Sequence, residues 1–125
     1  MTATGPASDP GPAPARAYLG KSLALLAASA ETQRAWITRY GVPVDELALS
    51  YDDAYRRVPS LAAARALDPE SVQDLRAIDA LFARLSDEDG AAVWEPEALG
   101  AHPDWARARV LATAVLVREG LDASV

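Results

Sequence analysis

A chain of 125 residues, half of them hydrophobic and 24% charged, has the length and composition of one globular domain. It holds no cysteine, which excludes disulfides, thiolate metal centres and thiol catalysis. Its net charge is −6, and acids outnumber bases two to one from residue 41 onward; such a surface disfavours nucleic acid and anionic membranes and suits a basic protein.

Residues 1–14 carry Pro6, Pro10, Pro12 and Pro14 and a single charge, Asp9. With little to bury and main-chain donors lost to proline, they are expected to form a disordered or polyproline-like tail. That leaves 15–125 as a single helical domain. From Ala15, Leu19, Leu23, Leu26 and Ala30 recur at spacings of three and four, and Trp36, Ile37 and Tyr40 continue the pattern. Either one helix runs to Tyr40 or the chain breaks near Ser29. Gly41 suits the position just past a helix end, and Pro43 blocks continuation.

Proline and two acids in Pro43-Val44-Asp45-Glu46 favour a new helix start through the macrodipole. Leu47, Tyr51, Ala54, Tyr55 and Val58 then follow helical spacing, although Leu47, Leu49 and Tyr51 also alternate as in a short strand. Helix is the favoured reading, because no partner strand is evident. Pro59-Ser60 is expected to end this segment, and Leu61 to Leu67 to form a short Ala-rich helix.

The clearest helix follows Asp68, an N-cap candidate, with Pro69 and Glu70 in its first turn. Val72, Leu75, Ile78, Phe82 and Leu85 form one stripe, with Asp79 off it. Residues 87–90 read as a polar turn and Pro96 to Leu99 as a single helical turn. A last helix is expected from Pro103 to about Arg118, before Gly120. The whole reads as all-α, an irregular bundle or orthogonal array of four to five helices.

No segment reaches the length of a membrane span. The apolar run from Lys21 to Ala30 ends in an A-x-A pattern, but it is short for a secretory signal and follows a Pro-rich stretch, so a cytoplasmic protein is expected. Arginine is used almost to the exclusion of lysine and alanine is abundant, a pattern of GC-rich, bacterial genomes.

Chemistry is sparse. Gly20-Lys21-Ser22 matches the end of a phosphate-binding loop, but Ala15 stands where its first glycine belongs. His102 is the one histidine, at a helix start, where a capping or surface role outweighs that of a general base. Asp45 and Glu46 precede Asp52 and Asp53 by seven residues, so 45/52 and 46/53 share helix faces. At a rise of about 1.5 Å per residue each pair is about 10 Å apart, too far to share one ion. No catalytic, cofactor-binding or metal set is expected.

What remains is acid beside aromatic side chains: Asp45, Glu46, Tyr51, Asp52, Asp53, Tyr55 and Trp94. Such a surface can grip an arginine-rich partner through ion pairs and cation–π contact. Core packing competes for the same rings. Small size, acidity and the lack of an active site form a profile shared with bacterial immunity proteins, antitoxins and anti-factors, an analogy of composition alone. The sequence thus points to an acidic, non-enzymatic protein-interaction domain. The alternative is a small-molecule or enzymatic pocket built from dispersed Arg, Tyr, Trp and carboxylate side chains.

Overall fold

A computed structural model describes residues 11–87 and 92–125. The described chain is helical, with no strand. Five helices have eleven or more residues: α1 (Ala13–Ala27), α2 (Ala30–Tyr40), α3 (Asp45–Tyr55), α5 (Pro69–Asp87) and α7 (Pro103–Glu119). Two are short, α4 (Val58–Ala63) and α6 (Ala98–Ala101), and a 3-10 turn spans Ala92–Trp94.

The chain breaks between α1 and α2. Ala28 is extended, and Ser29 caps α2 by accepting the Thr32 N–H at 3.1 Å. Two of the last carbonyls of α1, and that of Ala28 beyond it, find side-chain donors. Buried Gln33 donates Nε2 to Leu25 O (3.0 Å) and Leu26 O (3.2 Å). Arg109 donates Nε to Ala28 O at 2.8 Å and Nη2 to Gln33 Oε1 and Leu99 O.

Residues 47–51 are helical. Leu47, Tyr51 and Ala54 are buried while Leu49 is 56% exposed, the signature of a 3.6-residue period rather than alternation. Three boundaries depart from the sequence reading. α1 begins at Ala13, because Pro14 falls in its first turn, where a missing N–H costs nothing. Pro59 does not end a helix but lies in the first turn of α4, for the same reason. The helical turn expected from Pro96 becomes α6, from Ala98. Residues 1–10 of the expected tail, and Glu88 to Gly90 of the expected polar turn, lie outside the described residues.

Helix ends follow the residues available. Gly41 and Gly120 adopt positive φ (61° and 65°) past α2 and α7, a conformation that needs no Cβ. Asp68 Oδ1 accepts the Glu70 N–H at 2.8 Å. His102 is the cap of α7, its Nδ1 accepting the Asp104 N–H at 3.0 Å.

α1, α3, α5 and α7 close a ring in which each packs on the next, α1 on α3, α3 on α5, α5 on α7 and α7 on α1. α2 and α6 pack together at one side. The enclosed core holds Leu19, Leu23, Leu26, Leu75, Ile78, Leu85, Trp105 and Val115. The apolar run after Lys21 is therefore core-facing helix. Gly20-Lys21-Ser22 lies inside α1, where no phosphate loop can form. No helix among the described residues is long and apolar enough to cross a membrane.

Candidate acid-aromatic groove

Two acids open α3 and two more follow one heptad later, and the helix deals them to opposite sides. Asp45 and Asp52 turn toward α5 and line a groove of about 450 Å³. Asp53 turns toward α1, where it accepts the Tyr18 hydroxyl at 2.7 Å and raises the pKa of that phenol. Glu46 adds to the same negative field at Tyr18. The expected sharing of faces, 45 with 52 and 46 with 53, is what the helix builds.

The far wall of the groove comes from α5, with Asp79, Phe82, Ala83 and Ser86, and Trp94 contributes from the 3-10 turn. Among the described residues lining it there is no cation. Arg56, just past the end of α3, reaches Asp52 at 3.1 Å, but both side chains are mostly exposed, so the pair neutralises weakly. Asp45 Oδ1 is sealed from solvent and accepts no hydrogen bond among the described residues. Burial raises the pKa of Asp79, and the nearby charge of Asp52 raises it further. The groove thus holds negative charge at a cost that a bound cation would relieve.

Beneath it runs a file of rings. Tyr55 stacks on Tyr51 at 5.7 Å, Tyr51 tilts against Phe82 at 5.8 Å, Phe82 against Trp105 at 5.4 Å, and Trp105 meets Trp94 edge-on at 5.9 Å. Tyr51 belongs to the core rather than to an open surface. It is fully buried, its hydroxyl donates to Leu75 O at 2.7 Å, and burial pushes its pKa far up. Tyr55 and Trp94 are half-buried, and Trp105 is buried with Nε1 donating to Val93 O.

Of the seven residues singled out from sequence, the groove gathers Asp45, Tyr51, Asp52 and Trp94. Glu46 and Asp53 face α1, and Tyr55 flanks the groove without lining it. Asp79, Phe82 and Leu49 were not singled out. Asp79 lies one turn after Leu75 and three residues before Phe82, on the flank of the stripe, which is the signal that marks it. Among the described residues no cluster of histidine and carboxylate side chains could hold a metal ion. The chain matches no family model, no curated protein and no solved structure.

Proposed function

We propose that this chain is an acidic protein-interaction domain that receives a basic segment of a partner protein in the groove between α3 and α5. The observation that carries the reading is Asp45, Asp52 and Asp79 converging on one concavity that no cation lines among the described residues and whose floor is aromatic. An arginine fits this chemistry. Its guanidinium donates to carboxylates in a planar fork and stacks on indole or phenyl faces. Asp45 Oδ1 lacks a hydrogen bond among the described residues, so a cation drawn to this carboxylate would offset its burial. A basic toxin, factor or enzyme that this domain neutralises or docks is the class of partner that suits it.

The test separates the groove from net charge. An arginine-rich peptide is titrated calorimetrically into three proteins: the unaltered chain, an Asp45→Asn/Asp52→Asn/Asp79→Asn variant, and an equally neutralised Glu31→Gln/Glu95→Gln/Glu97→Gln variant. The groove variant is expected to lose about tenfold in affinity, the order of one buried charge pair, while the second loses little. Equal losses in both variants would mean that the peptide responds to overall charge and that the groove is not its site.

A further inference from the structure

We infer that a second concavity, the hollow between α1, α2 and α3, binds a small aromatic carboxylic acid. This is independent of the protein-binding groove, which lies on the α5 side of α3. The hollow measures about 310 Å³, at the small end of small-molecule sites. Its walls are the rings of Tyr18 and Trp36 with Leu25 and the C-terminal Val125, and its polar side chains are Lys21, Ser22, Ser50 and Ser124.

Ser22 is the sharpest signal. It is more than nine-tenths buried and its hydroxyl has no hydrogen-bond partner among the described residues. Three other helical hydroxyls find an acceptor: Ser71 Oγ donates across the fold to Glu119 Oε2 at 2.6 Å, and two bond one turn back. Ser86 Oγ donates to Phe82 O at 3.0 Å, and Thr113 Oγ1 to Arg109 O at 2.8 Å. Ser22 does not, and it borders the hollow instead. A buried donor left idle is costly to a fold, and an acceptor entering the hollow would use it once the hydroxyl turns about χ1.

The neighbouring charge selects that acceptor. Lys21, the single lysine of the chain, makes no ion pair among the described residues and lines the same hollow. Asp53 and Glu46 keep negative charge beside Tyr18 at the edge of the hollow, and Lys21 is the one cation among the described residues that line it. An ammonium and an idle hydroxyl on consecutive residues match a carboxylate. The indole of Trp36, half-buried and stacked on no other ring than the tilted Tyr40, offers a face to an aryl group.

The experiment is a titration of the 15N-labelled full chain with phenylacetate, indole-3-acetate and 3-phenylpropionate, beside the neutral phenylacetamide. Saturable shifts are expected at the Lys21 and Ser22 amides and the Trp36 indole N–H, with the amide ligand at least about fivefold weaker than its acid. Lys21→Gln should erase that preference without changing the melting temperature. Ser22→Ala should weaken the acids yet raise the melting temperature of the free protein by about 2–5 °C, because it removes the idle hydroxyl. Three results would each overturn the inference. One is the absence of saturable shifts for every acid up to about 10 mM. Another is equal affinity for acid and amide in the unaltered chain, and the last is unchanged acid affinity in both variants.

Discussion

Arg109 is the residue on which the packing of α2, α6 and α7 turns. Its guanidinium satisfies Ala28 O, Leu99 O and Gln33 Oε1 at once, and burial lowers its pKa without removing its charge. Gln33 in turn satisfies the end of α1. Replacing Arg109 by leucine keeps bulk but leaves three acceptors without their donor. Arg109→Leu should cost about 2–4 kcal/mol in urea unfolding, well above an ordinary surface change. A loss below about 0.5 kcal/mol would show that water replaces the guanidinium freely.

Among the elements, the α1–α2 break is the most consequential, since it swings α2 off the line of α1 and against α6. The apolar spacing from Leu19 to Ile37 runs straight through it, because periodicity does not report whether the axis bends, and Tyr40, which continues the spacing, is exposed. The local cause is Ser29, whose side-chain cap on Thr32 competes with helix continuation. Ser29→Ala should therefore cost about 1 kcal/mol, read as a lower denaturation midpoint at unchanged slope. Ser29→Asp, which keeps an acceptor at the cap, should restore most of it. Cap chemistry also set the starts of α5 and α7 at Asp68 and His102, both readable from sequence.

At the scale of the whole molecule, the ring of helices is fastened near one end by a carboxylate. Burial pushes the pKa of Glu119 up, but donors from Ser71 Oγ at 2.6 Å, the Asp68 N–H at 3.0 Å and Arg16 at 3.1 Å outweigh it and hold the group below its ordinary 4.5. Hydrogen bonds from Arg84 likewise hold Asp104 below its ordinary value. A depressed carboxyl contributes stability above its unfolded pKa and loses it as pH falls through the folded one. Stability in urea should accordingly hold near neutrality and drop below about pH 4.5. Glu119→Gln should be less stable at pH 7 and show a shallower acid decline; an identical decline would assign the acid sensitivity elsewhere.

The all-helical class and most helix starts were legible in the sequence, since caps and apolar spacing are local. Ring order was not, because it depends on which stripes meet. The same limit applied to the groove. The heptad spacing of Asp45 and Asp52 was readable, but Asp79 and Phe82 join them only because α5 packs on α3. Tyr51 was open to both core packing and partner contact in the sequence, with core favoured, and its hydroxyl on Leu75 O across that same interface places it in the core.

The groove is tested most directly by mapping an arginine-rich peptide onto the 15N-labelled chain by NMR. The account predicts saturable shifts at Asp45, Ala48, Leu49, Asp52, Asp79, Ala83 and the Trp94 indole N–H, with α7 and the outer face of α2 unmoved. Shifts spread over acidic residues on every face, or centred on Glu46 and Asp53 beside α1, would contradict it.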